Sequence, residues 1–272
     1  MRNENEIFRD SVLELASNIE LSMKLITVIP CCKEDAARAE TLLDLIYQVD
    51  GRIKKGYCLL VFAPEVHKEM RDKLQIAASL AFETVNIHNV QKLVVIGPTK
   101  HAGIWAMFRE VAQHMASGYR WPWLWCEPDC IPLKANWRET LANAYDQQPR
   151  RYLSRWLKSG DVTFIHHVGV YPVNILNDIE MAITSQIPFE ASIIGQSTKT
   201  DLIQHLPIRA ETDASKVRSD AVLLHGDKEG LLADIVRVVK DSLTTEASLN
   251  GHTPIPKRKP GRPRKIKPEL AL

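Results

Sequence analysis

Short apolar runs alternate with longer stretches of helical periodicity along most of this chain. Leu25-Ile-Thr-Val-Ile-Pro30 is a β-branched run closed by proline, the pattern of a strand buried on both faces. A polar turn, Cys31 to Asp35, leads into Ala36 to Val49, where Leu42, Leu43, Leu45 and Ile46 predict a helix. Tyr57 to Ala63 reads as a second strand ending at Pro64, and Glu65 to about Phe82 as a second helix. Lys92 to Gly97 is expected to be the next strand and Ile104 to Met115 the next helix. Further on, Pro122 to Cys126, Val162 to Pro172 and Ala221 to His225 read as strands, and Leu133 to Tyr145 and Leu231 to Leu243 as helices. Residues 5 to 23 have mixed helical spacing and suggest a short amphipathic helix ahead of the main fold. Strand and helix alternating at this length predict an α/β fold with parallel strands, whose ligands sit beyond the carboxyl ends of the strands.

Those strand ends carry the candidate chemistry. The aromatic run Trp121-Pro-Trp-Leu-Trp125 stops at Glu127-Pro128-Asp129, two carboxylates one residue apart. Carboxylate oxygens suit Mg²⁺ or Mn²⁺, which keep positions open for phosphate oxygens. Paired acids at the end of a buried strand are costly without a counter-charge, which favours the metal reading over a solvated turn. Asp129 is the expected direct ligand, with Glu127 supporting it. Ala221 to Leu224 ends in His225-Gly-Asp-Lys228, where an imidazole suits Mn²⁺ as a third ligand and a lysine suits a leaving diphosphate. Pro30, Lys33 and Glu34, at the end of the first strand, and Asp35 beside them are placed on the donor side, near any nucleotide. So are Lys100, in a small-residue turn that suits a diphosphate or simply a structural turn, and Trp105 at the start of the following helix. Glu190, in Ile-Pro-Phe-Glu190, is either the general base for an acceptor hydroxyl or a first-turn acid favoured by the helix dipole. Of the adjacent His166 and His167, alternation along a strand lets only one face a site, and a core or capping role is the expectation for each. Arg150 to Lys158 is basic and reads as a solvated surface able to meet phosphate or an acceptor.

Composition limits the alternatives. At 272 residues and 45% apolar content the chain can bury a full core. Acidic residues stand at the amino terminus where a signal peptide needs a cationic start, and no stretch reaches about 18 apolar residues, so a cytoplasmic protein without membrane association is expected. Cys31, Cys32, Cys58, Cys126 and Cys130 lie in or beside apolar runs, match no zinc spacing and read as reduced core residues. The net charge of +2 hides an asymmetry: Thr253 to Leu272 carry a local +6, leaving −4 for the remainder. A basic appendage on an acidic body points to a polyanion partner.

Taken together, the first strand ending in Ile-Pro, the acidic pair after a Trp-rich strand, the Phe-Glu helix start and the late His-Gly-Asp-Lys turn resemble the GT-A glycosyltransferases, especially those encoded by bacteriophages. The resemblance runs from about Leu25 to Val239. It implies a GT-A-like, Rossmann-like, mostly parallel sheet flanked by helices. It also implies metal ligation by Glu127, Asp129 and His225, a diphosphate contact from Lys228, and a nucleotide-sugar donor, UDP-sugar foremost. The usual motif of that family is Asp-x-Asp, whereas here a glutamate and a proline take its first two positions.

The segment Lys257-Arg258-Lys259-Pro260-Gly261-Arg262-Pro263-Arg264-Lys265 resembles an AT-hook, whose Gly-Arg-Pro core lies in the minor groove of A·T-rich duplex DNA. Prolines flanking Gly-Arg keep the backbone extended, and a narrow A·T minor groove draws in arginine. Pro254, Pro256, Pro260, Pro263 and Pro268 exclude a helix, so a disordered tail is expected. The expected division is an N-terminal helix (1–24), a glycosyltransferase domain (25–250) and the tail (251–272). The expected activity is transfer of a sugar to a hydroxyl on a modified, 5-hydroxymethylpyrimidine-type base in DNA, as a phage would use to mask its genome. The alternatives are a DNA-binding protein with a catalytically silent α/β body and a GT-A enzyme acting on a non-DNA acceptor.

Overall fold

A computed structural model describes residues 25–92, 102–148, 151–185, 187–207 and 214–226. The expected N-terminal helix, the helix at 231–243, most of the strand expected at 92–97, and the basic tail lie outside them. The elements run β1 (Ile26–Cys31), α1 (Ala36–Asp50), β2 (Ile53–Phe62), α2 (Lys68–Ala81), β3 (Phe82–Asn89), α3 (Ala102–Gly118), β4 (Trp123–Trp125), β5 (Cys130–Pro132) and α4 (Trp137–Gln147). They continue with β6 (Tyr152–Ser159), β7 (Val162–Tyr171), α5 (Leu176–Ser185), α6 (Phe189–Ser192), β8 (Ser197–Lys199), β9 (Ile203–His205) and β10 (Leu223–His225).

Seven strands form one sheet in the order β3-β2-β1-β4-β7-β6-β8, and only β7 runs against the rest. The fold is therefore mixed α/β with a mostly parallel sheet, as the strand–helix alternation predicts. All residues of β1 and β4 are buried, as their unbroken apolar runs require of central parallel strands. A second sheet, β5-β10-β9, pairs β10 antiparallel to β5 and parallel to β9.

Two strands depart from expectation. Phe82 to Asn89, immediately after α2, form a strand that the sequence pattern does not predict. Its sequence, Phe-Glu-Thr-Val-Asn-Ile-His-Asn, alternates apolar and polar side chains, and it lies at the sheet edge with much of its surface wet. Tyr152 to Ser159, within the stretch read as a basic surface, is strand β6: Tyr152, Leu153 and Ser154 are buried, while the basic residues lie on its half-exposed continuation. Tertiary pairing with β7 and β8 imposed the strand where charge obscured the period.

The chain winds outward from β1 through β2 to β3, then returns through α3 to β4 on the other side of β1. This reversal opens a crevice at the carboxyl ends of β1 and β4. Phe108 of α3 closes the core behind it, with ring centroids 5.1 to 5.7 Å from Trp123, Trp125, Tyr171 and Phe189. Such edge and tilted contacts add about 0.5–1.5 kcal/mol each beyond area burial. Four of the cysteines are buried and Cys32 is partly so, all of them free thiols. Among the described residues no helix is long and apolar enough to cross a membrane.

Candidate active site

The crevice holds a cavity of about 360 Å³. The end of β1 contributes Pro30, Cys31 and Cys32, β2 leads to Ala63, and the end of β4 contributes Trp125, Glu127, Pro128 and Asp129. Gly103, Ile104 and Met107 of α3 form the remaining wall. Pro30 lines the cavity. Lys33 and Glu34 are exposed and do not line the cavity; Asp35 and Arg38 do, paired with each other across one turn. The turn after β1 points its middle residues outward, and α1 carries the charges inward from its first turn. Burial and the carboxylates of Asp35 and Glu65 push the Cys31 thiol up to about 12, and burial with Asp35 does the same to Cys32. Neither cysteine is therefore a nucleophile at neutral pH.

At the mouth of this cavity, two segments far apart in sequence meet. Glu127 and Asp129 follow β4, and His225 ends β10, which is hydrogen-bonded to β5 with His225 opposite Cys130. His225 Nε2 lies 2.9 Å from Glu127 Oε2 and 3.0 Å from Asp129 Oδ1, with its side chain only 4% exposed. The indole N–H of Trp125 donates to Glu127 Oε1 at 3.2 Å and fixes the other carboxylate oxygen. Gly226 donates its amide to the Asp129 carbonyl at 3.3 Å, tying the two segments together.

The electrostatics are those of a cation site. Burial would raise the Glu127 carboxyl, but the hydrogen bond from His225 and the neighbouring imidazoles bring it down to about 2. Burial would likewise lower His225, but the hydrogen bonds to Asp129 and Glu127 hold it up at about 9. The carboxylates thus demand positive charge at the position between them and His225 Nε2. One oxygen from each acid and one ring nitrogen lie within 4.8 Å of one another. Two hard oxygen donors and a borderline nitrogen form a donor set that fits Mn²⁺ or Mg²⁺.

The sequence reading missed the histidines around this cluster. His205, which ends β9, places Nδ1 at 2.9 Å from His225 Nδ1. The His166 ring lies 4.6 Å from that of His205 and 4.4 Å from that of His225. Both histidines of β7 are engaged, His166 as the buried residue expected and His167 in an ion pair not expected. His166 turns toward His225, while Nε2 of His167 pairs with Glu190 Oε1 at 2.9 Å. Glu190 is buried in the first turn of α6 and is at the same time the partner of an imidazole. Trp105 packs on His167 and Phe189 and does not line the cavity, because its position on α3 faces the Glu190 side while Ile104 faces the donor side. One signal was available: Ile-Gln-His205-Leu-Pro repeats the pattern of an apolar strand ending in histidine seen at Leu-Leu-His225. Lys100, Lys228 and the residues from Lys257 to Lys265 lie outside the described residues.

Several solved structures share this architecture. The galactosyltransferase LgtC, in complex with donor and acceptor sugar analogues, matches with a TM-score of 0.53 at 7% identity, over 81% of this chain and 95% of its own. The bifunctional glycosyltransferase WbbM matches with a TM-score of 0.54 at 10% identity, over 76% and 46%. Mouse xyloside xylosyltransferase 1 matches with a TM-score of 0.50 at 11% identity, over 75% and 98%. No protein-family model and no curated protein sequence matches the chain. At these identities the likeness is one of fold, and the fold is that of the GT-A glycosyltransferases.

Proposed function

We propose that this protein is a metal-dependent glycosyltransferase that uses a nucleotide-sugar donor. The observation that carries this reading is the convergence of Glu127, Asp129 and His225 at the mouth of the switch-point cavity. A fold resemblance names no chemistry by itself. An acid–acid–imidazole cluster beside a cavity of nucleotide size, at the crevice of such a fold, narrows the chemistry to phosphate-linked substrates.

Glu127, Asp129 and His225 would hold the ion, which when bound would neutralise charge on the departing nucleoside diphosphate. The cavity between β1, β4 and α3 receives the nucleoside, and Lys100 and Lys228 are assigned to the diphosphate. Glu190 and His167 stand on the other side of Trp105 and form the acid–base pair for the acceptor hydroxyl: Glu190 accepts the hydrogen bond that sets the imidazole, and the pair takes up the proton as the hydroxyl attacks. UDP-sugar is the proposed donor.

For the acceptor, the proposal is a hydroxyl on a 5-hydroxymethylpyrimidine-type base in DNA, supported by the Gly261-Arg262-Pro263 tail, which suits a narrow A·T minor groove. The proposed organisation is a helix at 1–24, a catalytic body at 25–250 and a DNA tether at 251–272, in a phage enzyme working in the host cytoplasm.

The test is release of nucleoside diphosphate from a panel of sugar nucleotides with Mn²⁺, with and without hydroxymethylated duplex. Turnover that depends on Mn²⁺ and is lost in Asp129→Ala supports the enzyme; no turnover with any donor and acceptor leaves a DNA-binding protein with a silent body. Deletion of residues 257–267 tests the tether. Unchanged affinity for A·T-rich duplex and unchanged activity on DNA would refute it and favour a non-DNA acceptor.

A further inference from the structure

We infer that His205 is a positioning residue for the metal site, accepting the Nδ1 hydrogen of His225 so that the His225 Nε2 lone pair points between Glu127 and Asp129. This rests on the metal reading above and deepens it.

The argument is one of hydrogen-bond bookkeeping. His225 Nδ1 and His205 Nδ1 lie 2.9 Å apart, so one carries a proton and the other receives it. His225 Nε2 sits within 3.0 Å of two carboxylate oxygens. To bind an ion there, Nε2 must present a lone pair, which places the ring hydrogen on Nδ1. Among the hydrogen bonds of the described residues, His205 Nδ1 is the acceptor found opposite it. His205 is therefore the acceptor, a neutral imidazole with its own hydrogen on Nε2.

The sheet sets this geometry. β9 and β10 are parallel neighbours with His205 and His225 in register, so the two side chains leave the same face side by side, their rings within 24° of parallel. The Leu206 amide also donates to the His225 carbonyl at 2.9 Å, which fixes the backbone at that point. A neutral acceptor suits the charge balance. Glu127 and Asp129 already match a divalent ion, and a third carboxylate behind His225 would overload a buried site with negative charge.

The same atoms argue against a second metal centre in the trio His166, His205 and His225, whose candidate donor atoms also lie within 4.8 Å of one another. His166 Nδ1 accepts the Val168 amide at 3.1 Å, and the facing nitrogens of the other two rings bond each other. His166 then serves as a wall, its ring stacked on His205 and tilted against His225.

Two measurements test the assignment. In the metal-free chain, long-range ¹H–¹⁵N correlation spectra of the histidine rings should show His205 with an unprotonated Nδ1 and a protonated Nε2; a proton on His205 Nδ1 overturns the proposal whatever the metal does. Mn²⁺ affinity, read by electron paramagnetic resonance of the free ion, should fall about 10- to 100-fold in His205→Ala. It should recover most of this in His205→Gln, whose side-chain oxygen can accept. His205→Phe, which keeps a stacked ring without an acceptor, provides the comparison if the alanine variant does not fold. Mn²⁺ affinity equal to wild type in folded His205→Ala or His205→Phe refutes the positioning role. Failure of the wild-type chain to bind Mn²⁺ or Mg²⁺ instead defeats the metal reading, a separate result. Coordination of Zn²⁺ or Ni²⁺ through His166 and His205 nitrogens would show a three-histidine centre in place of the proposed hydrogen bond.

Discussion

Gly226 offers the sharpest test of how the fold holds the site. It follows His225, has φ of +127°, and donates its amide to the carbonyl of Asp129. A Cβ at this position would stand 2.5 Å from the Leu206 carbonyl oxygen, 2.9 Å from the Leu206 carbonyl carbon and 3.1 Å from the Pro207 nitrogen. All three are backbone atoms, so no rotamer change relieves the contact. The backbone conformation alone costs about 1–3 kcal/mol for an L side chain, and forcing volume into a packed site costs about another 1–3 kcal/mol. Gly226→Ala should therefore lose about 2–6 kcal/mol, which at about 2–4 °C per kcal/mol for a domain of this size lowers Tm by roughly 4 to 24 °C. Since the chain escapes the clash only by moving the end of β10 away from Leu206, His225 also leaves its position on the carboxylates. Mn²⁺ affinity should drop on the order of tenfold or more, as when a ligand loses its supporting contacts. Gly195→Ala is the control: a Cβ there meets nothing within 4 Å and the change should stay within about 0.5 kcal/mol. Thermal melts followed by circular dichroism, with Mn²⁺ titrations of both variants, make the comparison. A Gly226→Ala protein melting within about 2 °C of wild type with unchanged Mn²⁺ affinity would show that the strand end is not the rigid element claimed.

Other consequences are as direct. Trp125→Phe removes the N–H that holds Glu127 Oε1 while keeping an aromatic core residue, and Mn²⁺ affinity should fall about tenfold with the fold retained; calorimetric titration decides. Gly169→Ala, facing Ser154 across β6 and β7 with a Cβ 2.8 Å from that side chain and 2.9 Å from the Leu153 carbonyl, should destabilise by about 1–3 kcal/mol in denaturant melts. His167 has a pKa raised above 6.5: burial lowers it, but the hydrogen bond and charge of Glu190 outweigh burial. The stabilisation from this pair is therefore complete below about pH 6.5, the value in the unfolded chain, and is lost as pH rises through the folded value. In Glu190→Gln the His167 midpoint, read by histidine NMR, should move below about 6.5, because burial is then the dominant influence. A midpoint unchanged by that substitution would remove Glu190 from the acid–base pair.

The parts of this fold legible in the sequence are those whose side chains alone determine their environment. β1 and β4 are uninterrupted apolar runs because both faces are covered, and an acidic pair directly after such a run is conspicuous. His225 was legible for the same reason, as a polar end to an apolar strand. β3 was not, because an edge strand with one wet face alternates weakly and adjoins a helix without a break. Nor was β6, where basic side chains on the half-exposed stretch masked three buried residues at its start. Lys33 and Glu34 illustrate a different limit. The sequence locates the turn after β1 but not which of its side chains turn inward, and that depends on how α1 enters: of the three turn residues expected near a nucleotide, Asp35 lines the cavity, joined there by Arg38. His205 is paired with His225 by strand register between segments twenty residues apart, information carried by no local pattern.

This arrangement makes the small sheet β5-β10-β9 a mechanical part of the site. The large sheet places the acids, since β4 is locked between β1 and β7 and Glu127 follows it directly. His225 arrives on a different sheet, and besides its own contacts with the two carboxylates it is held to the acids by the β5–β10 pairing, the Gly226–Asp129 hydrogen bond and the ring contacts of His166 and His205. A cation bound between them therefore joins the two sheets. Binding to the folded chain alone stabilises it by about 2.7 kcal/mol at a hundredfold excess over Kd, and that energy falls on the junction between the sheets. Apart from Glu127 and Asp129, which belong to both, the cavity wall and the pair of His167 with Glu190 are built by the large sheet, α3 and α6 and do not use that junction. Loss of the ion should consequently loosen β9 and β10 while leaving the cavity walls and the aromatic core around Phe108 intact, a pattern that amide hydrogen exchange resolves segment by segment.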